Sequence, residues 1–396
     1  MDNVATEPPS GFEVGERIWI QAVKNKQVIQ IFDVVSENGS LPVGTLDALV
    51  ALSRKAEISS PAFVPDSQLL SASVIVPTLC RNPNELVRTI ESIVALDYPD
   101  FEVILVDNRP ELDRPPLPEL PGGNRVRVLH EPQRGVSAAR NLGILAAKGD
   151  VLAFTDDDAI VDRGWLRVLA TRFTLDAEIE GIGGLVLPTE LATPSQVWFE
   201  EFYGGFSPSL TFEKMSLQRL KGIDKMFPYA PGRFGAGCNA AYRRATLGRF
   251  GGFDTAIGGG TLARGGEDVG LAIELVETGG TFAYEPAALV RHTHRRTEEE
   301  FMHQVFNYGV GLTAMYTAMI VRNPRHLLAM MKRIPVGFRY LIRSPEDRSP
   351  SAKPSYPSRT LRTQILGMLY GPLAYTRSVI RTRSPRGTDK PITTGR

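Results

Sequence analysis

The chain has 396 residues, 42% hydrophobic and 22% charged, which supplies a large core and excludes a disordered or fibrous protein. Its 45 basic and 44 acidic side chains leave a formal net charge of +1, so the overall charge gives no reason to expect a nucleic acid partner. Cys80 and Cys238, the two cysteines, are too few for a disulfide framework or a cysteine-rich zinc site.

The opening "MDNVATEPPSGFEVGER" lacks the basic-then-apolar pattern of a signal peptide. No run reaches the roughly eighteen apolar residues of a spanning helix, so a cytoplasmic protein, soluble or peripheral on the membrane, is expected. Within residues 1–70, "RIWIQAV" and "QVIQIFDVV" read as strands around the turn "ENGS", and "GTLDALVALSRKA" as a helix. This predicts a small N-terminal α+β subdomain, followed by the linker "EISSPAFVPDSQ".

From residue 71 the pattern changes. "SASVIVPTL", "FEVILVDN", "RVRVLHE" and "GDVLAFTDD" are short continuous apolar runs, alternating with the helical segments "NELVRTIESIVAL" and "SAARNLGILAAK". Unbroken hydrophobicity implies strands buried on both faces, and the alternation implies right-handed crossovers into a parallel sheet, hence a doubly wound α/β domain. The first helix carries a start signal in Asn82, Pro83 and Glu85. Beyond residue 180 the elements become mixed, and helices follow from Thr297, where Thr297 and Glu300 form a capping-box pattern. Between Arg322 and Arg396 sixteen Lys/Arg face three acids, interleaved with apolar residues. That asymmetry fits an anionic membrane surface, or simply helices packed on the main domain with an exposed basic face.

Two predicted strands end in acid, "VILVDN" at Asp107 and "VLAFTDDD" at Asp156 to Asp158. Ligands of an open parallel sheet bind beyond the carboxyl ends of its strands. Adjacent carboxylates repel unless a cation or hydrogen bonds compensate, and hard oxygen ligands suit Mg2+ or Mn2+. A solvated turn, with Asp162 capping the helix at "RGWLRVL", is the plainer alternative.

The ordered set "SVIVPTLCRNPNELVRTIESI", "FEVILVDN", "RGVSAARNLGILAAKGDVLAFTDDD", "GGED" and "EPAALVRH" resembles glycosyltransferase family 2 over residues 71–295. That resemblance implies a GT-A fold, with a small N-terminal subdomain before it and a helical basic extension over 296–396. It implies a metal-dependent inverting transfer from a nucleoside-diphosphate sugar, with a uridine-type donor favoured, to a saccharide or lipid-linked acceptor in cell-envelope chemistry. Residue by residue it implies that Pro77, Thr78, Asp107, Arg140, Asn141 and Asp156 bind the donor. Asp156 and Asp158 would form the DxD motif that holds Mn2+ or Mg2+, joined by His292. Asp157, between them, is expected to point away.

Glu267 and Asp268 open a predicted helix, where the helix dipole favours ionised carboxylates. The resemblance makes Asp268 the catalytic base and Glu267 an acceptor or orienting contact; helix capping is the alternative. Gly258 to Gly266 reads as a loop able to close over the donor, with Arg264 reaching the diphosphate, or as a plain surface loop. The aromatic run Trp198, Phe199, Phe202, Tyr203 and Phe206 reads as an acceptor platform at Trp198 or as core. Cys238 is expected to pack as a small apolar residue. Two other functions stay open: a non-catalytic nucleotide-sugar binding or scaffold protein, and a sugar-phosphate nucleotidylyltransferase. The latter would carry a Gly-rich basic loop where this chain has "PTLCRNPNE".

Overall fold

The computed structural model describes residues 17–24, 27–35, 40–41, 44–45, 48, 64–110, 114–200, 205–206, 209–220, 223–341 and 356–383. The N-terminal part contributes β1 (Arg17–Lys24) and β2 (Gln27–Val35), an antiparallel hairpin that turns ahead of "ENGS". Most of the helix expected at 44–56 lies outside the described residues. The hairpin does not stand apart: Val28 is buried with Leu185, Leu187 and Leu289 of the main sheet.

That sheet is built from β3 (Ala72–Thr78), β4 (Phe101–Asp107), β5 (Val126–His130), β6 (Val151–Phe154), β7 (Ala159–Val161), β8 (Ile179–Pro188), β9 (Glu213–Met215), β10 (Ala240–Arg243) and β11 (Thr281–His292). Among the described residues its order is β5-β4-β3-β6-β10-β8-β11-β7, with β9 also pairing β11. The first four strands are parallel, as the strand-helix alternation predicts. β10 then runs antiparallel between β6 and β8, while β8 and β11 are parallel. The sheet is therefore parallel in its first half and mixed in its second.

Helices cover both faces: α1 (Pro83–Val94), α2 (Val136–Ala146), α3 (Trp165–Leu175), the short α4 (Pro194–Trp198) and α5 (Leu217–Leu220), α6 (Arg244–Phe250) and α7 (Glu267–Glu277). The alternation of side chains along each strand explains the continuous apolar runs. Val74, Val76, Val103 and Leu105 pack on one face with α1 and α3, while Ile75, Ile104 and Val106 pack on the other with α2 and α7. β5 departs from the expectation of burial on both faces: it is the edge strand, and Val128 is 47% exposed.

The Asn82 side chain caps α1 by accepting from the amides of Asn84 and Glu85. Asp162 does not take the cap position of α3; Gly164 does, and the Asp162 carboxylate accepts from the Gly164 amide at 2.8 Å.

The C-terminal part is helical, with α8 (Glu298–Arg322), α9 (Arg325–Met331), α10 (Ile334–Leu341) and α11 (Thr360–Arg383). The Thr297/Glu300 capping box starts α8. α8 and α11 cross in close contact: a Cβ on Gly309 would lie 2.3 Å from the Gln364 carbonyl, and one on Gly367 would lie 2.3 Å from that of Phe306. Among the described residues no helix is long and apolar enough to cross a membrane.

Candidate active site

Three chain segments meet beyond the carboxyl end of β6: the acid trio, the turn before β10, and the start of α7. The register explains why. β10 is antiparallel to β6 with Ala240 opposite Phe154, so the turn Gly237–Asn239 lies beside Thr155 and Asp156. Asn239, fully buried, anchors that turn. Its Oδ1 accepts from the Trp165 indole at 2.8 Å, and its Nδ2 donates to the carbonyls of Leu185 and Ala288 at 2.9 and 2.8 Å.

On the opposite flank, β11 pairs first with β9 and then, past an irregularity between Glu285 and Leu289, with β7. His292 is thereby set opposite Ala159, immediately after the acid trio. Its Nε2 lies 3.2 Å from Asp158 Oδ1, while its Nδ1 is buried without a hydrogen-bond partner. Burial alone would lower the pKa of His292, but Asp158 and Asp156 outweigh it and raise it. Reciprocally, burial pushes Asp158 up, yet His292 and Arg295 hold it at about 2.

Arg140 joins the acid trio to α7. Its Nη1 donates to Glu267 Oε1 at 2.8 Å and its Nη2 to Asp156 Oδ1 at 3.1 Å. Burial works against the Arg140 cation, but Asp156, Glu267 and Asp268 more than offset it. Glu267 is raised to about 7 by burial and by the neighbouring Asp268 charge, with Arg140 pulling the other way. Asp268 accepts from the Gly237 amide through Oδ2 at 2.7 Å. A Cβ at residue 237 would lie 2.8 Å from that oxygen and 3.1 Å from Arg140 Nη2, so a larger residue there would have to displace the Asp268 carboxylate.

Asp156 to Asp158 lie past the end of β6, with Asp157 and Asp158 in a turn, so strand alternation does not apply to them; Asp157 is directed to the end of β3, where it accepts from Thr78 Oγ1 at 2.5 Å. Burial raises its pKa to about 6. Thr78 therefore spends its hydroxyl on Asp157, with Pro77 preceding it at the end of β3. Asp107 lies at the end of β4, where burial would raise its pKa but a two-pronged contact from Arg109, at 2.9 Å to each oxygen, lowers it. Beside it opens a cleft of about 410 Å3 whose walls include Arg109, Arg114, Leu117 and His130.

Other expected contacts lie elsewhere. Both ends of the Asn141 amide are engaged by the backbone of Phe253, at 2.8 Å each, so this side chain clamps a loop. Arg264 leans onto α8, bonding Asn307 and covering the Phe306 ring. The loop expected to close over the donor is fastened at its start: Gly259 O accepts from the Val136 amide, and Ile257 O, just before the loop, from the Ser137 hydroxyl. Trp198 and Phe199 are buried with Phe301, Met302 and Val305, which is the core alternative for that segment and leaves no open platform at Trp198. Phe206 leans edge-on toward His292 and His294. Phe202 and Tyr203 lie outside the described residues.

Residues 73–249 match the family profile described as Glycosyl transferase family 2. This segment is a glycosyl transferase family 2 domain. Pre-mycofactocin glycosyltransferase of Mycobacterium tuberculosis is 31% identical over 188 residues, which cover 46% of this chain and 36% of that protein. Glucosyl-dolichyl phosphate glucuronosyltransferase of Haloferax volcanii is 27% identical over 244 residues, 60% of this chain and 74% of that one. A solved structure, mannosyltransferase PcManGT from Pyrobaculum calidifontis in complex with GDP-Man and Mn2+, is similar at a TM-score of 0.45 and 15% identity, covering 88% and 84% of the two chains. The chain thus spans 36% of the length of the first curated relative it matches.

The family 2 domain contains β3 to β10, and so both the acid trio and the Gly237–Asn239 turn. Glu267, Asp268 and His292 come from the segment after it, folded back onto the same strand ends. Sequence reading alone missed Arg109 and Asn239, whose motifs "VDNR" and "GCNA" carry the right residue types without showing their targets. It also missed the placement of Cys238, which is buried and offers its sulfur within 4.8 Å of donor atoms of Asp156 and His292.

Proposed function

We propose that the protein is a metal-dependent inverting glycosyltransferase that moves a sugar from a nucleoside-diphosphate donor, of uridine type, to an acceptor hydroxyl by direct displacement. The observation that carries this reading is the buried guanidinium of Arg140, bonded at once to Asp156 of the acid trio and to Glu267 of the α7 acid pair. It fixes the distance between a donor-side carboxylate and a base-side carboxylate, which is what displacement on one bound sugar requires.

The donor set fits a divalent cation: the Asp156 carboxylate and His292, whose donor atoms lie within 4.8 Å of each other, and the Asp158 carboxylate 3.2 Å from His292 Nε2. Those residues would hold Mn2+ or Mg2+, and the ion would supply Lewis-acid stabilisation of charge on the departing diphosphate. Asp107 and the cleft beside it suit the nucleobase, with Arg109 and Arg114 at its wall. Asp268, held by the Gly237 amide at the start of α7, takes the proton from the attacking hydroxyl, and Glu267 orients that acceptor. Inversion follows from one displacement with no enzyme-bound intermediate. The test is incubation with UDP-, GDP- and dTDP-sugars plus Mn2+, with the anomeric configuration of the product read by NMR. Retention of configuration, or no turnover with any of them, overturns this reading.

Peripheral attachment to an anionic membrane is part of the same proposal. Ten of the fourteen exposed large hydrophobic residues among those described fall between Val321 and Ile380. On α11, Leu369, Leu373 and Ile380 are exposed at 73%, 54% and 68%, and the helix carries four arginines and no acid. Apolar residues interleaved with unopposed cations are what an anionic lipid surface binds. The dolichyl-phosphate substrate for which the Haloferax relative is named accords with a lipid-linked acceptor.

A further inference from the structure

Cys238 is the one member of the group formed with Asp156 and His292 that the proposed function leaves without a task. One ligand atom from each of the three residues lies within 4.8 Å of the others, and both Cys238 and His292 are at least nine-tenths buried. Two further observations single the thiol out. The turn Gly237–Asn239 holds Cys238 between Gly237, whose amide donates to Asp268, and Asn239, whose side-chain amide donates to the carbonyls of Leu185 and Ala288, so its position is fixed by hydrogen bonds on both sides rather than by loose packing. His292, facing the same space, keeps its buried Nδ1 without any partner, which a folded interior tolerates poorly unless a ligand satisfies the site.

We propose that Cys238 is a fourth protein ligand of the cation, alongside Asp156, Asp158 and His292, so that the site prefers a borderline transition metal to Mg2+. This rests on the metal-assisted reading above. A purely oxygen-lined site suits hard ions, whereas a sulfur with an imidazole and a carboxylate suits Zn2+ and Co2+. Cys80 supplies an internal contrast: it lies after β3, is only partly buried, and belongs to no such group among the described residues.

The experiment uses the full chain with Co2+ as the probe, in the presence of UDP and, separately, of GDP. Bound cobalt is counted by equilibrium dialysis, and thiolate-to-cobalt charge transfer is read in the near ultraviolet. The proposal predicts one equivalent of Co2+ with a charge-transfer band, the band retained in Cys80→Ser and lost in Cys238→Ser. Cobalt bound in one equivalent to the unmodified chain without that band overturns the proposal but leaves the metal-assisted reading standing. Persistence of the band in Cys238→Ser also overturns it. Absence of bound cobalt with either nucleotide overturns both. Because the unmodified chain alone can fail the test, the outcome does not depend on whether Cys238→Ser folds.

Discussion

Arg140 on α2 and Glu267 at the start of α7 are separated by 127 residues of chain, yet their side chains meet at 2.8 Å in a buried ion pair. The same guanidinium also reaches Asp156, so one cation balances acids from two separate motifs. Three carboxylates converge on Arg140, counting Asp268 nearby, while Asp158 is balanced separately by His292 and Arg295.

Removal of this charge should therefore be costly. Arg140→Ala is expected to destabilise the fold by about 3–5 kcal/mol, the range for stranding the partners of a buried ion pair. Arg140→Lys keeps the charge without the fork and should lose less stability but still lose transfer activity. Urea denaturation of the two variants, compared with their turnover, checks both statements.

Asp268→Asn keeps an oxygen that can accept from the Gly237 amide, so the fold should survive. If Asp268 is the base proposed above, turnover should fall by about 10²–10⁴-fold while donor binding, followed by thermal shift, stays unchanged. A fall in donor affinity of the same size would move Asp268 from the acceptor side to the donor side.

Glu267 gives a pH dependence. Its folded pKa is raised to about 7, so between its ordinary value and 7 the folded chain holds a proton that the unfolded chain has released. Stability from this group is full at low pH and declines as pH rises through that window, by on the order of 1–3 kcal/mol. Without added metal, Glu267→Gln should flatten the decline. From pH 4.5 to 8 the gap between the denaturation midpoints of the two proteins should change with pH, in the direction of a parent that loses stability relative to Glu267→Gln, if the raised pKa is real, and the two should run parallel if it is not.

The membrane reading makes a separable prediction. Leu369→Glu with Leu373→Glu alters two exposed positions, so stability should stay within about 0.5 kcal/mol of the parent. Co-sedimentation with anionic vesicles should be lost. Vesicle binding unaffected by the pair, or absent from the parent at low salt, would remove α11 from the account.

Much of this arrangement is legible in the sequence because the signals are local. Continuous apolar runs report strands buried on both faces, Asn82 with Pro83 reports a helix start, and acids at strand ends report the ligand side of the sheet. What the sequence does not show is pairing across the chain. Thr78 looks free until Asp157 is seen to hold it, and Asn141 looks ready for a nucleotide until Phe253 claims both ends of its amide. Cys238 reads as a small apolar filler because the antiparallel insertion of β10 beside β6, which brings it to Asp156, leaves no periodic trace. Val128 is misjudged for the related reason that strand order, and hence which strand is the edge, is set by long-range pairing.

The central claim is that a divalent cation at the acid trio serves transfer from a nucleoside-diphosphate sugar. The most direct measurement is release of nucleoside diphosphate from a panel of nucleotide sugars, followed with Mn2+, with excess chelator, and in Asp158→Asn. The account predicts release with at least one donor in Mn2+, its abolition by chelator, and a fall of at least about 10²-fold in the variant. Undiminished release in chelator, or full activity in Asp158→Asn, would contradict it.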